Sequence, residues 1–174
     1  LDDLVRFKGR TSPYRFNPLL TDASGRKYRP ADNLCAFVEL LPHIKGPLAG
    51  SPITLEPWQV FVLTTIFGWV RRDGRRRFRR AYIEVPRGNA KSTLSSAVGL
   101  YMLTADGEGG AECYSLATTR DQARIVFGDA QQMARKSAGF RARYGVTVGA
   151  HNMHVLSTAS KFEALSAEGS TLDG

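Results

Sequence analysis

The chain has 174 residues, 43% of them hydrophobic and 23% charged. That balance excludes a wholly disordered, collagenous or coiled-coil chain and leaves room for one globular domain with a sizeable core. Two cysteines, Cys35 and Cys113, are too few for a disulfide scaffold or a cysteine-rich zinc module, and a net charge of +8 points toward phosphate-rich partners.

In chain order, residues 1–30 are rich in turn formers such as Ser12-Pro13 and Asn17-Pro18 and read as an irregular N-terminal arm. From Ala31 the spacing of Leu34, Phe37, Val38 and Leu41 predicts a helix, which Pro42 stops. A Gly- and Pro-rich loop follows, and a second helix opens at Pro57 and runs to about Phe67. The longest apolar stretch, Trp58 to Val70, has 13 residues, too short to span a bilayer. The N-terminus shows no apolar segment of the kind that directs secretion. A soluble, cytoplasmic chain without a transmembrane segment is the expectation.

The segment RRDGRRRFRR, residues 71–80, sets seven arginines against one aspartate, a local +6 that leaves +2 for the rest of the chain. Asp73-Gly74 predicts a turn within it. Arg75, Arg76, Arg77, Arg79 and Arg80 are candidate contacts to nucleic-acid phosphates, because clustered guanidinium groups bind phosphate bidentately. The competing reading is the solvated end of a hairpin whose arginines protect an edge strand from aggregation.

Ala81 to Val85 is a β-branched and aromatic run that predicts a strand. It runs directly into Pro86-Arg-Gly-Asn-Ala-Lys-Ser-Thr93, and Leu94, Val98, Tyr101 and Met102 then fall at helical spacing. A loop between strand and helix can cradle phosphate: backbone N–H groups converge, the helix N-terminus adds positive potential, and a lysine reaches the terminal phosphates. Lys91 fits the lysine role and Ser92 the hydroxyl that holds Mg²⁺. Gly88, Asn89, Ala90 and Thr93 complete the loop, although Val85 and Ala90 stand where the common motif has glycine. Arg87 is placed either to stabilise charge on the γ-phosphate or to be exposed on the rim. A plain strand–helix turn with an exposed lysine is the alternative for the whole segment.

Further on, Glu112–Ala117 reads as a strand and Thr119–Gln122 as a capping box that opens a helix. Val146–Val148, Met153–Leu156 and Lys161–Leu165 read as short strands. The order strand, helix, strand, helix implies parallel pairing. His151 and His154, three apart on a strand, would face opposite sides and share no metal.

The ordered set of motifs resembles the ATPase domain of the large terminase subunit of tailed bacteriophages. Leu55-Glu-Pro-Trp-Gln59, the basic segment, VPRGNAKST, Ser115-Leu-Ala-Thr-Thr-Arg-Asp-Gln-Ala123 and Leu165-Ser-Ala-Glu-Gly with Asp173-Gly174 carry the resemblance over residues 31–174. It implies an α/β P-loop NTPase core with a mostly parallel sheet flanked by helices, incomplete at the C-terminus. It implies ATP and Mg²⁺ as ligands, with Trp58 and Gln59 at the adenine. On residues alone, Trp58 is a core aromatic and Gln59 a helix-surface residue.

The implied function is the ATP-binding part of a DNA-packaging motor in the cytoplasm of an infected bacterium. Its partners would be double-stranded DNA, the portal and the small terminase subunit, and a homo-oligomeric ring is implied for the full protein. The family's second acidic motif and its nuclease domain are expected beyond Gly174, so the chain as given is expected to hydrolyse ATP weakly or not at all. A helicase or restriction-type DNA translocase, and a non-catalytic DNA-binding module, are the alternatives.

Overall fold

The structure is a computed structural model that describes residues 6–7, 10–11, 13–22, 24–117 and 119–166. The chain divides into two compact units, residues 1–37 with 54–84 and residues 38–53 with 85–174.

In the first unit, short ladders replace the expected irregular arm. β1 (Arg6–Phe7) pairs with β2 (Arg10–Thr11), and β3 (Tyr14–Phe16) precedes a hairpin of β4 (Leu20–Thr21) and β5 (Lys27–Tyr28). Asp22 closes that hairpin. Its carboxylate accepts from the Ser24 hydroxyl at 2.6 Å and from Arg26 Nε at 3.0 Å. These two bonds, Ser24 first, hold its acid down at about 2. Asn17, in the left-handed region at φ 46°, donates its amide to Asp32 and accepts from the Ala31 N–H. It thereby caps α1 (Pro30–Glu39).

The predicted second helix is α2 (Pro57–Gly68), and it feeds β6 (Trp69–Arg71), which pairs antiparallel with β3. The Asp73-Gly74 turn forms with Gly74 at φ 83°, and its return arm bridges Arg76 to Val70. Residues 81–86 form no strand. Tyr82 is 88% exposed and Ile83 41%. A strand exists only through a neighbour's hydrogen bonds, and among the described residues this run has no ladder partner, whatever its β-propensity.

In the second unit α3 (Lys91–Thr104), β7 (Glu112–Ala117), α4 (Arg120–Lys136), α5 (Ala138–Tyr144), β8 (Val146–Val148), β9 (Asn152–Val155) and β10 (Ser160–Ser166) follow in order. The helix-flanked α/β architecture is as expected. The sheet runs β7-β10-β9-β8, with β7 and β10 parallel and the other two pairings antiparallel. β7 alternates because one face meets helices: Ser115 donates to the Ala123 carbonyl of α4 at 2.8 Å. On β10, Phe162 meets Phe127 of α4 edge to face at 5.3 Å. Gly99 lets α3 approach the same ring, since a Cβ there would lie 2.7 Å from it. Asp129, 5% exposed, is paired with Lys45 at 2.6 Å. Gln122 of the predicted capping box and residues 167–174, including Glu168 and Asp173, lie outside the described side chains.

Candidate phosphate-binding site

The loop from Pro86 to Ala90 belongs to the second unit and delivers the chain into α3. Two residues have positive φ. Gly88 is at 85°, and Ala90, the N-cap, is left-handed at φ 52° and ψ 27°. Alanine has no side-chain oxygen, so no side-chain cap satisfies the first turn of α3. The free N–H groups of that turn, with the helix dipole behind them, form a cradle that favours an anion. Asn89 braces the loop by donating its amide to the Pro86 carbonyl at 3.2 Å.

Lys91 folds back over the loop and donates its ammonium to the carbonyls of Val85 and Pro86 at 2.5 and 2.8 Å. Its charge is thus held at the loop itself, and among the described residues no carboxylate takes it. Ser92 is half-buried, and its hydroxyl makes no hydrogen bond among the described residues. Ser96, one turn on, differs: its hydroxyl donates to Ser92 and Val126 carbonyls and fastens α3 to α4. The Ser92 hydroxyl is a hard oxygen at the cradle, a donor suited to Mg²⁺ that is otherwise held by phosphates and water. Arg87 is exposed on the loop and Thr93 half-buried behind it. The structure therefore brings Arg87, Gly88, Asn89, Ala90, Lys91, Ser92 and Thr93 together as one element.

Trp58 and Gln59 lie in the first unit, at the start of α2. Trp58 is half-buried. Gln59 is 6% exposed, and its amide oxygen accepts the Glu56 N–H at 2.9 Å. It is the reciprocal half of a capping box with Glu56. The glutamate-to-glutamine spacing of that box is visible in the sequence, although glutamate is an unusual first member.

The arginine run divides by face. Arg75, Arg77, Arg79 and Arg80 are exposed, whereas Arg76 is half-buried with its guanidinium 5.0 Å from the Phe67 ring. Arg71, also exposed, is missing from the candidates drawn from sequence; the signal that finds it is strand alternation with Arg75 and Arg77. Cys113 faces inward on β7, and burial, with Asp106 and Glu108 nearby, pushes its thiol up to about 11. It is protonated at neutral pH and a poor nucleophile. Among the described residues no group of three metal-ligating side chains converges, and no helix is long and apolar enough to cross a membrane.

A family model described as terminase large subunit, ATPase domain, matches residues 57–174. A crystal structure of the HK97 bacteriophage large terminase is similar in fold, with a TM-score of 0.67 at 24% identity. The similarity covers 83% of this chain, which spans 29% of that one. No curated protein matches the chain.

Proposed function

The chain belongs to the family of terminase large subunit ATPase domains, and from that premise we propose that it is the nucleotide-binding part of a viral DNA-packaging motor. In the whole protein, ATP hydrolysis would drive double-stranded DNA into a procapsid. The observation that carries this reading is the loop before α3: an uncapped helix N-terminus with a lysine folded over it, inside a segment that matches the family.

The chemistry follows from those atoms. The β- and γ-phosphates of ATP compete with the Val85 and Pro86 carbonyls for the Lys91 ammonium. They prevail because an ammonium bonds more strongly to an anionic phosphate oxygen than to a neutral carbonyl. The N–H groups of the first turn of α3 donate to phosphate oxygens, and Gly88 lets the backbone come close. Arg87 reaches the γ-phosphate from the exposed loop and stabilises the charge that builds there during transfer. Ser92 is the residue that would hold Mg²⁺, which would supply positive charge against the phosphates when bound. Trp58 and Gln59 are assigned to the adenine by family resemblance, with the Gln59 amide N–H as the available donor.

The same resemblance supplies the remaining partners: the portal, the small terminase subunit and a ring of copies in the host cytoplasm. A helicase or restriction-type translocase would share the loop, and the family match over residues 57–174 favours the packaging motor. Titration calorimetry separates both from a DNA-binding module with no nucleotide site. ATP is expected to bind the wild-type chain and to bind Lys91→Ala at least about tenfold more weakly, because one charge-assisted bond to phosphate is removed. Equal affinities would remove the phosphate site and the reading with it.

A further inference from the structure

β3 and β6 make a two-stranded antiparallel ribbon within the first unit, and the return arm of the Asp73-Gly74 turn joins its other edge through a single antiparallel bridge. Its register is set by Tyr14 opposite Arg71, Phe16 opposite Trp69, and Val70 opposite Arg76. The Arg71 N–H donates to the Arg75 carbonyl and the Arg77 N–H to the Trp69 carbonyl, both at 2.8 Å. Since side chains alternate across a strand, one face carries Arg15, Val70 and Arg76 and the other Tyr14, Phe16, Trp69, Arg71, Arg75 and Arg77. Val70 is 1% exposed, so its face is the inner one. Arg71, Arg75 and Arg77 are all exposed on the outer face, and the Asp73 carboxylate in the turn between them is engaged by the Arg75 N–H at 3.1 Å.

Arg77 is unusual among them. Its guanidinium lies over the rings of Tyr14, Phe78 and Trp69, at 4.8, 5.1 and 5.6 Å from their centroids. Among the described residues no carboxylate or carbonyl takes its N–H donors. Stacking fixes the plane of the group and leaves the donors at its edge for an outside acceptor. A side chain held in this way loses little entropy on contact, and the fork matches two phosphate oxygens.

We infer that this outer face is a sequence-independent contact for the phosphate backbone of duplex DNA, with Arg77 as its preorganised anchor and Arg71 and Arg75 supplying charge beside it. The inference deepens the packaging reading, on which it rests only for the identity of the polyanion. It also revises the arginines singled out from sequence: Arg71 joins the contact, Arg76 leaves it for the inner face, and Arg79 and Arg80 lie past the ribbon and are not part of it.

The test measures binding of a short duplex of arbitrary sequence to the 174-residue chain across a salt series without nucleotide. The triple variant Arg71→Gln, Arg75→Gln, Arg77→Gln is compared with a charge-matched control, Arg124→Gln, Lys136→Gln, Arg141→Gln, drawn from exposed positions on α4 and α5. The face variant is expected to lower the slope of log K against log salt by about 2–3, near 0.9 for each phosphate no longer neutralised, with the control slope unchanged. Arg77→Lys keeps the charge and is expected to keep the slope while binding about tenfold more weakly, because lysine has no planar fork.

Equal slopes for the face and control variants, wild-type affinity in Arg77→Lys, or tighter binding to single strands than to duplex would each overturn the inference. Failure of ATP to bind, with duplex binding still dependent on this face, would instead overturn the packaging reading and leave the contact standing.

Discussion

Position 90 is alanine where the backbone is left-handed, at φ 52°. A Cβ in that region costs about 1–2 kcal/mol, and alanine adds nothing as an N-cap. Ala90→Gly is therefore expected to raise the stability of the chain by up to about 1 kcal/mol, part of the gain being offset by the entropy of the unfolded glycine. An unfolding midpoint in urea below that of the wild type would contradict this. Lys91 and Ser92 can be singled out as candidates from the sequence because the proposed phosphate loop is a local object, built by eight consecutive residues and one helix end. Gln59 is not legible in the same way: its environment depends on how α2 is buried, and its amide oxygen is taken up by Glu56. The side chain of a single residue is assigned by what surrounds it, and composition does not contain that.

Among the elements, α3 carries a glycine in its interior, which weakens an isolated helix by roughly 1 kcal/mol relative to alanine. Packing gives the reason, since the Phe162 ring of β10 fills the space where a Cβ would go, at 2.7 Å. Phe162 is 3% exposed and braced against Phe127, so the ring has little room to yield. Gly99→Ala is expected to cost about 1–3 kcal/mol through overpacking, more than the gain in helix propensity. A thermal midpoint equal to or above that of the wild type would refute the close approach. The helices α2 and α3 and the strand at Glu112–Ala117 emerge from sequence with nearly their observed limits, because Pro57, Gly68 and the glycine-rich turn at Asp106–Gly110 bound them locally. The run Ala81–Val85 has the same propensity and forms no strand, because a strand needs an edge to join and an edge belongs to the fold.

For the whole molecule, the division into two units places the arginine ribbon in one and the phosphate loop in the other. Two ligands should therefore leave two separate footprints in hydrogen exchange. ATP is expected to slow exchange at residues 87–93 and, through the adenine, around Trp58 and Gln59, and duplex DNA at residues 69–77. Protection of 69–77 by ATP with none at the loop would contradict the assignment of both sites. The chain spans 29% of the HK97 large terminase chain it resembles.

By itself the sequence determined the features that neighbours along the chain can build. These are the helical periods, the loop before α3 that offers Lys91 and Ser92 as candidates for phosphate and Mg²⁺, the turn at Asp73-Gly74, and the concentration of +6 within ten residues. Tertiary structure alone decided which of those charges face outward. Charge is a sum that needs no coordinates, whereas direction along a strand follows from register, and register is set by the partner strand. Only once β3 pairs with β6 and Arg76 bridges to Val70 do Arg71, Arg75 and Arg77 fall on one outer face, with the rings of Tyr14 and Trp69 beneath Arg77.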